Sequence, residues 1–171
     1  MRHKLSKKYG NPLLKTIFSI PLLLIVSALA YFAFCEARKA YWDRQVGEMC
    51  KKEGGVQVYE KVMLDVKQYE SIFTASGFIL IPYKEMAKSN SEYFINNQIQ
   101  YMRSARPEVW KMRTQVIRNS DKRVLGEKIS YARVGGDFPT WAHDSSFGCA
   151  NISSQKGSFL SEIFILKTER K

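Results

Sequence analysis

The chain has 171 residues, with 27 Lys plus Arg against 16 Asp plus Glu, a surplus of 11 positive charges when both histidines are neutral. That length carries one modest domain beyond a membrane segment and excludes a multi-span transporter, a two-domain enzyme or a large α/β barrel. Five of the basic residues, Arg2, Lys4, Lys7, Lys8 and Lys15, precede an apolar run with no acid among them, so the charge balance is partly a matter of topology rather than of a ligand.

Residues 1–15 read as a basic cytoplasmic tail. Residues 16–34, TIFSIPLLLIVSALAYFAF, hold no charge. As a helix they span about 28 Å, close to the hydrocarbon thickness of a bilayer, and predict a transmembrane signal anchor. Pro21 sits early in the run, where a kink is tolerated. The outer flank opens with Glu36, Arg38 and Lys39 in mixed sign. The positive-inside tendency therefore predicts a single-pass inner-membrane protein, embedded in inner membrane lipid, with its amino terminus cytoplasmic and its carboxy-terminal domain periplasmic. Tyr31, Phe32 and Phe34, with Tyr41 and Trp42 beyond them, fit an aromatic belt. A cleaved signal peptide is the competing reading, since Ala28-Leu29-Ala30 supplies a small-residue pattern. The apolar run continues past that point, which favours an uncleaved anchor.

Residues 35–54 predict a helical stalk, ended by Gly54-Gly55. Residues 55–171 form the candidate domain. Val56–Leu64 reads as a strand, or a strand with an irregularity, and Asp65–Phe73 as a short helix or a loop. Phe78–Ile81 suggests a brief strand, while Tyr93–Met102 suits strand or helix. Val109–Arg118 and Arg123–Val134 alternate over long stretches and flank Asn119–Lys122, a hairpin connection. Gly135–Pro139 closes the pair, and Phe159–Leu166, FLSEIFIL, reads as a final buried strand. The expected fold class is α+β, an amino-terminal transmembrane helix followed by a small domain with an antiparallel β-sheet.

Cys50 and Cys149 predict one disulfide in an oxidising compartment, worth roughly 2 to 4 kcal/mol. Cys35 is left odd, in the lipid interface or free for an intermolecular bridge. Two histidines, His3 and His143, fall on opposite sides of the membrane, and no CxxC occurs, so neither a metal site nor a cofactor is expected. The segment 137–149 is the densest in reactive groups. His143, Cys149 and Asp144 are its catalytic candidates, with Asp137 as a second orienter and Ser145 or Ser146 as fallback nucleophiles. A disulfide at Cys149 removes the thiol.

Nine basic residues between Arg103 and Arg133 face only Glu108, Asp121 and Glu127. Lys111, Arg113, Arg118, Lys122, Arg123 and Lys128 are the interaction candidates. Lys111 and Arg113 share a strand face, and Lys128 is expected opposite them. Such a face suits anionic headgroups, an acidic partner protein or a polyanion. Outward topology and the lack of a reader motif count against nucleic acid.

Trp42, Cys50, Gly54-Gly55 and Val58-Tyr59-Glu60 together resemble small uncharacterised bacterial proteins with an amino-terminal membrane anchor and an exported α+β domain. That resemblance implies no activity and no site. The leading expectation is a non-enzymatic, membrane-anchored accessory or interaction subunit of an envelope assembly, with an envelope protein as partner and homo-oligomerisation left open. Two alternatives stand beside it: a membrane-tethered hydrolase or thiol enzyme using 137–149, and an envelope immunity or inhibitor protein.

Overall fold

A computed structural model describes residues 12–137, 143–152 and 158–167, and the backbone alone over 12–19. The amino-terminal residues of the expected basic tail, 1–11, lie outside the described residues, as do 138–142. The chain is an α+β fold in which one long amino-terminal helix leads into an antiparallel sheet.

Helix α1 runs unbroken over Pro12–Glu53. Its length is about 63 Å, twice what a bilayer core needs. The two halves differ in what surrounds them. Between Ile20 and Phe34 the apolar side chains, Leu22 to Ile25 among them, stand exposed on all sides. Such a surface is costly in water, and the helix is long and apolar enough to cross a membrane once. From Cys35 onward every third or fourth residue turns inward, with Cys35, Val46 and Cys50 buried. The predicted stalk is thus helical, but it lies along the sheet as a layer of the domain.

Glycine stops the helix for a local reason. Gly54 N–H donates back to Cys50 O at 3.0 Å, and a Cβ there would stand 2.5 Å from that same oxygen. Gly55, at φ +135°, then turns the chain into a strand.

The main sheet has the order β1-β5-β4-β3, formed by Gly55–Val58, Val124–Val134, Glu108–Arg118 and Tyr93–Arg103, all antiparallel. Strand β6, Ser146–Gly148, extends the β1 edge of β5. The expected strand 56–64 divides in two. Tyr59 and Glu60 both donate to Leu125 O, at 2.8 and 2.9 Å, and the chain leaves the sheet there. It re-forms as β2, Val62–Leu64, which pairs in parallel with β7, Phe164–Leu166.

Helix α2, Val66–Ile72, is fixed by a capping box between Asp65 and Gln68. Phe78–Ile81 contributes only an isolated bridge, Ile79 with Phe73. The expected final strand 159–166 is corrected in its first half. Phe159–Ile163 is a short helix, α3, whose first turn is capped by Ser158 accepting from Leu160 N. Phe159 and Ile163, and likewise Leu160 and Phe164, are four apart, so a helical turn buries both pairs at once.

Two apolar clusters flank the sheet on opposite faces and at opposite ends. One gathers Val116, Leu125 and Ile95 under Ile163, Phe164 and Leu64. The other sets Val46 and Cys50 of α1 against Val109 and Tyr131. Trp42 packs on the edge of the second cluster with the Arg103 guanidinium 5.3 Å from its ring centre. It therefore serves the domain rather than the expected aromatic belt.

Contacts along α1 fix its direction. Lys39 meets Asp137 at 3.3 Å, Asp43 meets Arg133 at 2.5 Å, and Glu53 meets Lys111 at 3.0 Å. Moving up the helix means moving back along β5, so β4 runs with α1 and β3 and β5 run against it. The β3–β4 turn consequently lies at the end nearest the apolar half of α1, and the β4–β5 turn at the far end.

Candidate interaction surface

The expected disulfide is present. Cys50 and Cys149 are bonded, with Cα atoms 5.3 Å apart across 99 residues of sequence. It ties the last turns of α1 to the 3-10 turn Cys149–Asn151 that follows β6. Cys35 is a free thiol but fully buried, which removes the expected lipid-interface position and the intermolecular bridge.

With Cys149 oxidised, the segment 137–149 lacks its thiol nucleophile. His143 is exposed, and Asp144 is taken by Arg106 at 2.6 Å. The catalytic candidates are therefore not brought together. The residues that do converge are Asp137, Ser145 and Arg133. Ser145 donates its amide and hydroxyl to Asp137, at 2.8 and 2.7 Å, and its hydroxyl accepts from Arg133 at 3.2 Å. Arg133 is only 1 % exposed and also reaches Asp43 and Gly135 O. Burial pushes the Asp137 carboxyl up, but the two bonds from Ser145 and the Lys39 ammonium outweigh it and hold the group at about 2. A carboxylate that acidic is a weak base, so the cluster is built to hold α1 on the sheet rather than to activate a serine.

The predicted basic face is divided by register. Arg118 N–H donates to Arg123 O, and a regular ladder counted from that pair sets Arg113 opposite Lys128. Leu125 is an extra residue: Ile117 pairs with Val124, but Val116 pairs with Gly126. Beyond that bulge Arg113 faces Ile129 and Lys128 faces Thr114, so Lys128 lies on the face opposite Lys111 and Arg113.

Most of the other cations are already paired. Glu53 takes Lys111 and the Tyr131 hydroxyl at 2.6 Å, and these contacts, the tyrosine first, hold its carboxyl below the usual range. Arg113 lies 3.4 Å from Glu127. Arg118 and Arg123 both clasp Glu60, with Asp121 beside them, and the Arg118 guanidinium is the main reason the Glu60 carboxyl is lowered. Lys122 bonds the Asn119 side chain.

A different surface is left open. Ile95 N–H donates to Pro82 O and its carbonyl accepts from Lys84 N–H, so the outer edge of β3 is occupied at that residue. Strand alternation turns the backbone groups of Asn97, Ile99 and Tyr101 to the same outer edge, where none bonds another backbone group among the described residues. The run Tyr93–Met102 contains no charged residue. Beside this edge, on the sheet face away from α1, Ile99 pairs with Met112 and Tyr101 with Trp110, the two rings 6.2 Å apart. Ile99 is 57 % and Tyr101 60 % exposed. Sequence alone favoured the charged residues and passed over this strip. Its available signal was ten successive uncharged residues.

Helix and domain together define a class: an α+β domain led by one helix long and apolar enough to cross a membrane, with the outer edge of β3 open from Asn97 to Tyr101 among the described residues. No family model matches this chain, and neither a curated protein nor a solved structure matches it, so its function is read from its own surface.

Proposed function

We propose that this is an inner-membrane protein of the docking class, its tail cytoplasmic and its domain periplasmic, which takes an extended segment of another envelope protein along the outer edge of β3. The open, uncharged edge Asn97–Tyr101 carries this reading. An edge without Lys, Pro or a covering element is what native sheets avoid unless a strand is to be added. The apolar strip Ile99, Tyr101, Trp110 and Met112 supplies an exposed apolar surface for alternate side chains of the incoming segment. The basic tail and the Cys50–Cys149 disulfide support the outward orientation, since such bonds persist in oxidising compartments.

The occupant is a different chain. Two copies of one strand edge pair only antiparallel, about an axis perpendicular to the strands. Because β3 runs alongside α1, that axis turns one copy's anchor away from the shared membrane. Anchoring also reduces the partner search to two dimensions.

Ile99→Pro provides the test. Its amide points outward and bonds nothing in β4, so proline removes an edge donor and leaves the ladder intact. A photoreactive residue at Asn97 is expected to crosslink an envelope protein in native membranes, with the yield reduced at least about tenfold by Ile99→Pro while the disulfide still forms. Undiminished crosslinks, or crosslinks to lipid alone, reject the reading.

A further inference from the structure

Three of the lysines that the ion pairs leave over converge at the far end of the sheet, around a cavity of about 450 Å³. Phe94 and Ile117, cross-strand partners on β3 and β4, line it together with Ala87. Lys84, Lys88 and Lys122 also line it, and no acidic residue does. Among the described residues none of the three has a carboxylate within ion-pair distance. Asp121, beside Lys122 in the β4–β5 turn, is held by Arg118 and Arg123, and Glu85, beside Lys84, does not line the cavity. Lys122 stands 5.6 Å above the Phe94 ring, and Asn96, Asn119 and Ser89 add neutral donors.

The walls are tied in place. Lys84 N–H donates to Ile95 O at 2.8 Å, Asn119 N–H to Glu92 O at 2.8 Å, and the Asn119 amide to Ser89 O at 3.3 Å. The loop carrying Lys84 and Lys88 is thereby fastened across the sheet rather than lying free. Three cations around an apolar, aromatic lining repel one another and lack a counter-charge, and an anion with an apolar body answers both needs.

We propose that this cavity binds a small amphiphilic anion, its carboxylate or phosphate held by Lys84, Lys88 and Lys122 and its aryl or short acyl body resting on Phe94 and Ile117. The site is distinct from the β3 edge and independent of it. The eight strand steps from Val109 to Ile117 place it roughly 27 Å beyond the contact with Val46, on the side away from the apolar half of α1, out of reach of headgroups in the anchor's own membrane. The ligand is accordingly a soluble one.

Phenyl phosphate is the probe, added to the full chain in zwitterionic nanodiscs with the Ile and Ala methyl groups followed by NMR. Saturable shifts at Ile117 and Ala87 are expected, and Lys84→Gln/Lys88→Gln/Lys122→Gln is expected to weaken binding at least about tenfold, while Lys67→Gln leaves it unchanged. All three lysines are exposed, and unaltered methyl shifts of Ile72 and Ile163 report that the triple variant is folded. Benzyl alcohol and inorganic phosphate separate the two halves of the site, and each is expected to bind at least about tenfold more weakly than phenyl phosphate. Equal binding of inorganic phosphate reduces the site to counter-ion attraction and overturns the proposal. Equal binding of benzyl alcohol, an unaffected triple variant, or no saturable shift at millimolar probe overturns it as well.

Discussion

At the end of the sheet around Leu125, three separate elements close over Val116 with aliphatic and aromatic side chains, and Phe164 lies against the rings of Tyr93 and Phe73 at 4.9 and 6.5 Å. At the end around Val109 only four residues form the buried cluster, and α1 is held there by a disulfide and by Arg133 with its partners Asp43, Ser145 and Gly135. Apolar burial fixes that a contact exists but tolerates sliding. A buried guanidinium with directed acceptors, together with a covalent bond, fixes one position of the helix on the sheet. The far end is built for stability and the near end for placement of the domain on its helix.

Phe164→Ala should have the largest effect. It removes the ring shared by three elements and costs about 4 kcal/mol. Chemical denaturation should show the whole domain weakened, with faster amide exchange throughout the sheet. If exchange rises only in β2 and β7, the far cluster is not the common core.

Arg133→Ala strands Asp43 and should cost about 3 kcal/mol. Exchange should accelerate first in Cys35–Glu53 of α1 while the amides of β3 and β4 near Ile95 and Val116 stay protected. Adding Asp43→Leu should restore much of the loss, because the stranded charge is then gone. Uniform acceleration, or no rescue, would dissolve the distinction between the two ends.

Acid gives the smallest effect. The Asp137 carboxyl is held at about 2 against an ordinary 3.8, so its ionised form contributes stability above about pH 4 that is lost as pH falls through 2. The contribution is on the order of 1 kcal/mol after solvent screening. Asp137→Asn should abolish that slope and lower the domain's urea midpoint at neutral pH by the same small contribution, while the amides of β3 and β4 near Ile95 and Val116 remain the most protected.

Much of the fold was legible because it is local. The uncharged run 16–34, the paired glycines after Cys50 and the alternation through 109–134 are short-range patterns, and each dictates its element by sterics and periodicity. The disulfide was legible by elimination among three cysteines. The interaction surface was not, because charge density in a sequence says nothing about which cations already own a carboxylate. Glu60 lies 58 residues from Arg118 and Glu53 lies 58 from Lys111, and only folding brings them together.

By itself, then, the sequence determined an apolar helix, its stop and an antiparallel hairpin, since each depends on neighbours within a few residues. The tertiary structure decided the rest. One bulge residue, Leu125, moved Lys128 to the other face, because side chains in a strand alternate with period two and a single insertion reverses every later one. Long-range ion pairs took up Lys111, Arg118 and Arg123, while folding gathered Lys84, Lys88 and Lys122 around one cavity and left the outer edge of β3 open.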